Sequence, residues 1–133
     1  MAISTSQGLV QRFAMGLYGV QLGNNTMAAV LDEVKTIGGI TKIDGLFNWY
    51  YTVSFGSKPV ATVASDLATN LGIVAGQNGL SVGFVTFAKD YIAGVLNAAA
   101  PEARGAAVSK IIAAWENLAG SPEVGAAVSA WTA

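Results

Sequence analysis

The chain has 133 residues, of which 53% are hydrophobic and only 11% are charged. This composition is far from that of disordered chains, and the length suffices for one domain with a buried core. Seven basic and eight acidic residues give a net charge of -1, which argues against nucleic-acid binding because that needs clustered Lys and Arg. Cysteine and histidine are both absent, so disulfides, thiolate or imidazole metal ligands, and Ser-His-Asp or Cys-His catalysis are excluded.

The N-terminal sequence MAISTSQGLVQRF lacks the charged region, apolar region and cleavage site of a secretory signal peptide. Any export of the chain is therefore expected to use a route that does not read the N-terminus. No stretch of about 18 apolar residues occurs without polar interruption, so the sequence predicts no membrane-spanning helix.

Apolar residues recur at helical spacing along the chain, and glycines punctuate them. Three helices are predicted in the first part: from a cap at Ser4 or Ser6 to LGNNT, from a cap at Asn25 or Thr26 to Gly38-Gly39, and from near Thr41 to Gly56. The next segment, GSKPVATVASDLATNLG, has the signals of a complete helix. Ser57 is its predicted N-cap, Pro59 falls in its first turn, and Gly72 follows its last residue.

Three more helices are predicted in the second half: from a cap at Ser81 to about Ala98, from after Pro101 to Gly120 with Leu118 facing inward, and from Ser121 into the chain end. The fifth helix is apolar almost all round because Phe84, Phe87 and Tyr91 widen its apolar side. Such a helix is usually the central one of a bundle. We therefore expect it to be buried.

The predicted fold is all-α, a compact bundle of about six to seven short helices joined by Gly, Asn and Ser-Pro turns. No linker divides residues 1–133, so the chain is expected to be a single helical domain. It ends directly after a helical pattern, in SAWTA, as the N-terminal part of a longer secreted protein would. The alternative is a two-stranded excursion in YYTVSFG and LSVGFVTF, which alternate over short runs.

The acidic residues are spread along the chain, and no pattern assembles them into a catalytic pair. We expect no enzymatic activity. The sequence also lacks a calcium-binding loop, a phosphate-binding loop and a dinucleotide fingerprint. The turns LGNNTM and AGQNGLS could offer oxygens to calcium, but they read more simply as plain turns. The sequence therefore indicates no metal site and no cofactor.

Aromatic residues are the remaining signal. Trp49, Tyr50 and Tyr51 are consecutive, and if the two tyrosines lie on the apolar side of a helix, Trp49 lies near the surface. An exposed indole there could stack on the apolar faces of sugar rings. The simpler interpretation is that it packs against another helix or a partner subunit. Lys42 and Lys58 complete the glycan-binding candidates. Trp115 and Trp131 fall on apolar sides, where core packing is expected.

Two segments share an outline, LYGVQLGNNTMAAVLDEV and WYYTVSFGSKPVATVASDL: aromatic residues, a glycine, a polar turn and a helix. This outline resembles helical repeats of bacterial extracellular proteins that accompany calcium-binding modules. With the missing signal peptide and the absence of cysteine, it also resembles the helical N-terminal domain of Gram-negative surface-layer (S-layer) proteins exported by type I secretion. The residues after the glycines differ from the repeat's usual ones, so no individual site residue carries over.

The S-layer resemblance implies a secreted domain at the bacterial cell surface that binds the polysaccharide of lipopolysaccharide and packs against copies of itself. A second hypothesis is a purely structural self-assembly module that uses the small faces of GAAVSKIIAAW and GAAVSAW. A third is a small helical carrier of an apolar ligand in a bundle cavity.

Overall fold

The architecture comes from a computed structural model that describes residues 5–132. This part of the chain is all-α and contains no strand. The α-helices are α1 (Ser6–Phe13), α2 (Asn24–Thr36), α3 (Ile43–Phe55), α4 (Val60–Asn70), α5 (Val82–Ala98), α6 (Arg104–Glu116) and α7 (Gly125–Thr132). The predicted all-α bundle is confirmed. The two-stranded alternative is wrong, because YYTVSFG lies in α3 and its end, and most of LSVGFVTF lies in α5.

The helix starts match the predicted capping residues only in part. Ser81 caps α5 as expected, and its hydroxyl accepts a hydrogen bond from the Phe84 amide at 3.1 Å. Thr5 rather than Ser6 caps α1 through the Gly8 amide, at 3.0 Å. The other predicted cap, Ser4, lies outside the described residues. Helix α2 begins one residue before the predicted Asn25, with Gly23 at its N-cap.

Two predicted serine caps are wrong. Pro59 itself is the N-cap of α4, with ψ at 140°, and Ser57 lies in the preceding turn. The Lys58 amide donates to the Phe55 carbonyl at 3.0 Å, and a residue before proline avoids the helical region, so the helix cannot start earlier. Ser121 begins a turn, where its hydroxyl accepts from the Glu123 amide at 3.3 Å, and α7 starts only at Gly125.

Glycine ends α4 as predicted. Gly72 has a φ of +84°, and the amides of Gly72 and Ile73 donate to the carbonyls of Thr69 and Ala68 at 3.0 and 2.9 Å. This pattern satisfies the last carbonyls of the helix and turns the chain back. Ile73 is buried directly after the turn. The close of α4 therefore adds a residue to the core.

Helix α6 lies at the centre of the bundle, in contact with α1, α3, α5 and α7. Its buried residues are Gly105, Ala107, Val108, Ile111, Ile112, Trp115 and Glu116. The backbone of α3 lies so close that a methyl group on Gly105 would overlap the Phe47 carbonyl. Asn48 Oδ1 also accepts a hydrogen bond from the Ala106 amide at 2.7 Å. One amide that the start of a helix leaves unpaired is thus satisfied from α3.

The prediction that α5 is the central helix is wrong. Its inner side packs on α4 and α6, but Phe87 is 65% exposed and Tyr91 is 56% exposed. Leu118, predicted to face inward, is also exposed because α6 ends at Glu116. Trp115 and Trp131 are buried as predicted, and neither indole N–H has a hydrogen-bond partner among the described residues.

An ion pair lies beside the end of α6. Arg12 Nε is 3.1 Å from a carboxylate oxygen of Glu116, which is 4% exposed. The Arg12 guanidinium carbon also lies 5.8 Å from the centre of the Trp131 ring. One arginine therefore joins α1, α6 and α7.

Candidate functional site

Helix α3 separates the three consecutive aromatics that the sequence selected. Successive residues on a helix point about 100° apart, and the inner face of α3 takes Ile43, Leu46, Phe47 and Tyr51. Tyr51 is only 2% exposed, so the structure removes it from any surface site. Trp49 is 56% exposed, as the sequence predicted, and Tyr50 is half-buried. Trp49 and Tyr50 therefore remain as candidates.

Trp49 and Tyr50 line an open cleft of about 420 Å³, here called the Trp49 cleft. Their rings meet edge to face, with centroids 5.2 Å apart. The walls are almost entirely apolar. The lining residues are Val10, Phe13, Ala14, Tyr18, Val20, Leu22, Thr26, Val30, Phe47, Trp49, Tyr50, Val53 and Ser54.

Hydroxyl and carboxylate groups lie around this cleft. The Tyr18 and Ser54 hydroxyls are 2.6 Å apart, and the Tyr50 hydroxyl donates to the Glu33 carboxylate at 3.2 and 3.3 Å. Loss of water around Tyr50 raises its pKa from 10.0 to about 12, and the negative charge and hydrogen bond of Glu33 add to the rise. Tyr50 is therefore a neutral phenol with a fixed orientation at ordinary pH.

Tyr18 is a lining residue that the sequence analysis missed. It closes a π-helical turn, Ala14–Tyr18, that continues α1 and ends at Gly19 with a φ of +71°. The wider turn changes the register of the helix, so Tyr18 leaves the side that Leu17 buries. Asn70 holds this turn in place, because its side-chain amide donates to the Gly16 carbonyl at 2.9 Å. The sequence signal was the aromatic before a glycine in LYG.

The two candidate lysines are not brought together. Lys42 precedes α3 and Lys58 follows it, and a helix of 13 residues is about 20 Å long. Neither lysine lines the Trp49 cleft. The Lys58 ammonium instead lies 5.0 Å from the centre of the Phe55 ring. No single small ligand can therefore contact both lysines.

A second apolar cleft, of about 290 Å³, lies between α5 and α6 and is called the α5–α6 cleft. It shares no residue with the Trp49 cleft. Its lining residues are Leu71, Ile73, Phe84, Phe87, Ala88, Tyr91, Ile92, Ile111, Ala114, Trp115 and Leu118. Sequence reasoning missed this surface because it assigned Phe87 and Tyr91 to the inside.

The small faces that the sequence suggested for self-assembly are largely used within the chain. GAAVSKIIAAW forms most of α6 and buries Gly105, Ala107 and Val108 against its neighbours. In GAAVSAW, Gly125, Ala127 and Val128 are buried as well. These small faces are therefore not available as a self-assembly surface.

Within residues 5–132, no group of three or more acidic side chains is placed to hold a metal ion. No helix in that range is long and apolar enough to cross a bilayer. Comparison of the chain with protein-family models, curated proteins and solved structures finds no match.

Proposed function

We propose that the chain is a non-catalytic anchoring and assembly domain of the surface-layer kind, which acts at the bacterial cell surface after secretion. In this proposal the Trp49 cleft holds a sugar unit of the lipopolysaccharide polysaccharide. The observation that carries it is the exposure of Trp49 at the opening of a cleft that keeps hydroxyl groups around its apolar walls.

The chemistry of the cleft suits a neutral sugar. The apolar C–H face of a sugar ring packs on an indole, and the hydroxyls of Tyr18, Tyr50 and Ser54 can exchange their present hydrogen bonds for bonds to sugar hydroxyls. Glu33 is the charged group that contacts this rim, and both candidate lysines lie away from it. An anionic sugar therefore finds no complementary charge here.

The second candidate function is that of a carrier of an apolar ligand. It is favoured by the walls of the cleft, where nine of the thirteen lining residues, with Val20, Leu22 and Val30 among them, carry no hydroxyl group. Small-molecule sites are usually lined in this way, with a few polar groups that fix orientation. An acyl chain would use the walls and leave the hydroxyls in their present pairs.

The test uses smooth lipopolysaccharide, which carries O-polysaccharide, and rough lipopolysaccharide, which lacks it. Of the three tryptophans only Trp49 is exposed, so its fluorescence reports on the cleft. We expect smooth lipopolysaccharide to shift the emission to the blue and to protect it from acrylamide. Rough lipopolysaccharide should do neither. Blue shifts of equal size with both preparations would favour the apolar carrier, and no shift with either would overturn both functions.

Variants then locate the contact by calorimetry or pull-down. Trp49→Ala is expected to weaken binding of smooth lipopolysaccharide by at least about tenfold, which is 1.4 kcal/mol. Trp49→Phe keeps an aromatic face and should retain part of the affinity. Ile40→Ala is the control, because it removes another exposed apolar side chain that does not line the cleft. Equal losses in Trp49→Ala and Ile40→Ala would contradict the site.

A further inference from the structure

A third cleft, of about 450 Å³, adjoins the Trp49 cleft at Val20, which lines both. We call it the carboxamide cleft, because four of its eleven lining residues are asparagine or glutamine. The lining residues are Met15, Gly19, Val20, Gln21, Asn70, Leu71, Gly72, Gln77, Asn78, Ala130 and Trp131. None of them is charged. The cleft therefore offers hydrogen-bond donors and acceptors without a net charge.

The carboxamide groups in this cleft have hydrogen-bonding capacity to spare. Gln21, Gln77 and Asn78 are exposed, and their side chains make no hydrogen bond within residues 5–132, unlike that of Asn70. Asn70 donates through its nitrogen to the Gly16 carbonyl at 2.9 Å, which leaves its Oδ1 as an acceptor. A side chain at position 19 would crowd that oxygen, and the residue there is glycine.

A closed turn places Gln77 and Asn78 at the cleft. The Gly76 amide donates to the Leu80 carbonyl at 2.9 Å, and the Leu80 amide donates to the Gln77 carbonyl at 3.0 Å. Asn78 has a φ of +50°, and it is the only residue other than glycine with a positive φ within residues 5–132. Residues in such conformations are uncommon and occur often at binding sites, and asparagine tolerates them better than most.

The buried members of the cleft are apolar. Leu71 is completely buried, and Trp131 is 7% exposed. The apolar C–H face of a sugar ring can pack on such residues while the carboxamides bond its hydroxyls. A hydroxyl both donates and accepts a hydrogen bond, and a carboxamide also does both. The two kinds of group therefore match.

Other classes of ligand fit this cleft less well. An acyl chain would cover carboxamides without giving them partners, which costs free energy. An anion would need a lysine or arginine and a calcium or magnesium ion would need carboxylates, and neither kind of residue lines the cleft. A peptide that adds a strand needs the edge of a sheet, and residues 5–132 contain no strand. A neutral saccharide uses both the polar and the apolar groups.

The segment between the two clefts is held in place. Gln21 lines the carboxamide cleft, and the next residue, Leu22, lines the Trp49 cleft. The Gln11 side chain accepts a hydrogen bond from the Leu22 amide at 2.8 Å and donates one to the Leu22 carbonyl at 3.3 Å. A saccharide of more than one unit can therefore cross a fixed ridge at Val20 and occupy both clefts.

We propose that the carboxamide cleft is a second saccharide subsite, which binds a neutral sugar unit of the same polysaccharide chain that enters the Trp49 cleft. This proposal rests on the proposed function, and it adds that the protein recognises a stretch of polysaccharide rather than a single sugar. Two linked contacts give a higher affinity than either contact alone. Longer fragments of the polysaccharide should therefore bind more tightly than single sugars.

The test uses lipid-free O-polysaccharide released from smooth lipopolysaccharide, and calorimetry measures its binding. The double variant Q21A/Q77A should bind it at least about tenfold more weakly than the wild type, since it removes two carboxamides that can bond sugar hydroxyls. Both residues are exposed, so the variant should keep its fold, which circular dichroism checks. Q7A/N97A is the matched control, because it removes two exposed carboxamides that line neither cleft.

NMR of the side-chain amide groups gives a direct reading of each cleft. We expect the O-polysaccharide to shift the amide signals of Gln21, Gln77 and Asn78 together with the indole N–H signal of Trp49. In Trp49→Ala protein the three amide signals should still shift, at a higher concentration of the polysaccharide. Amide signals that stay in place while the Trp49 signal shifts would overturn the second subsite.

The variants also separate this proposal from the proposed function. If Q21A/Q77A binds like the wild type and Trp49→Ala binds weakly, the carboxamide cleft is not a subsite and the Trp49 cleft remains the site. If Trp49→Ala binds like the wild type and Q21A/Q77A binds weakly, the saccharide lies in the carboxamide cleft and the Trp49 cleft is not its site. Wild-type protein that does not bind the O-polysaccharide overturns both.

Discussion

Helices α5 and α6 are both rich in apolar residues, yet they have opposite surroundings. Helix α6 has one aromatic residue, carries Arg104, Lys110 and Glu116, and is nevertheless the helix that four others contact. Helix α5 has three aromatic residues and two charges, and it leaves Phe87 and Tyr91 exposed to solvent. The more apolar helix is thus the more exposed one.

The difference lies in small residues rather than in hydrophobicity. Gly105 and Ala107 let the backbone of α3 come close to α6, and the amide of Ala106 gains a partner from Asn48 at that contact. Phe87 and Tyr91 place bulky side chains on the side of α5 that no helix within residues 5–132 covers. The helix whose small residues allow its neighbours to come close therefore lies at the centre of this bundle. The helix with large aromatic side chains leaves them on the surface.

The largest effect is expected at the contact between α6 and α3. Gly105→Ala places a methyl group against the Phe47 carbonyl, and backbone cannot rotate away as a side chain can. We expect a loss of about 3 kcal/mol in the free energy of unfolding, measured in urea. Gly45→Ala in α3 is the control, since a methyl group there meets no atom within 4 Å. It should stabilise the protein by up to about 1 kcal/mol. If the two changes had equal effects, the close approach of the α3 backbone to Gly105 would not explain the central position of α6.

A smaller loss, about 2 kcal/mol, is expected when Arg12→Met leaves the Glu116 carboxylate buried without its partner. The figure lies below the usual cost of breaking a buried pair, because the Arg12 side chain is 20% exposed and water can enter. The double variant R12M/E116L, which leaves no buried charge, should recover most of the stability. A double variant as unstable as Arg12→Met would show that the loss comes from the packing of Arg12 on Trp131 of α7, rather than from the unpaired charge of Glu116.

The smallest effect is expected at the rim of the Trp49 cleft. Tyr50 has a pKa of about 12 in the folded protein against 10.0 for the free group, so its contribution to stability is complete below pH 10. This contribution is lost as the pH rises from about 10 to about 12. Glu33→Gln removes the neighbouring charge and should lower the pKa of Tyr50, measured by NMR on its ring carbons.

Asp32→Asn is the control for that titration, because Asp32 is also exposed on α2 and its side chain makes no hydrogen bond to Tyr50. An unchanged Tyr50 pKa in Glu33→Gln would mean that the phenol is not held by the carboxylate. The polar rim of the Trp49 cleft would then be free to rearrange around any ligand.

The sequence was most informative where one residue decides the local structure. Gly72 ends α4 because a positive φ is required there, and Ser81 starts α5 because its hydroxyl reaches the Phe84 amide. Ser57 is not the N-cap of α4 because it lies in the turn that follows α3, and Pro59 is the cap instead. That turn is closed by a backbone hydrogen bond from Lys58 to Phe55, which composition does not reveal.

The candidate site could be predicted only to the level of single side chains. The helical periodicity of the apolar residues placed Trp49 outside the core, as the structure confirms. The same periodicity could not place Tyr18 beside Trp49, because the π-helical turn that ends at Tyr18 alters the register of the helix. The predicted bounds of the third helix, near Thr41 to Gly56, already place Lys42 and Lys58 at its opposite ends, and the structure shows the same separation. Grouping both lysines into one site therefore conflicted with the predicted helix itself. Contacts between helices are long-range, and no local pattern encodes them.

The place of α6 in the chain shapes how the protein folds during synthesis. The pairs α1–α2 and α4–α5 join neighbours in sequence and can form early, but α6 is the sixth of the seven helices described and contacts α1 and α3. Until Arg104 to Glu116 leave the ribosome, Phe47 and Leu67 lack a completed core around them. The earlier helices therefore keep apolar surface uncovered until α6 and then α7 can pack on them, so the core is completed late in synthesis.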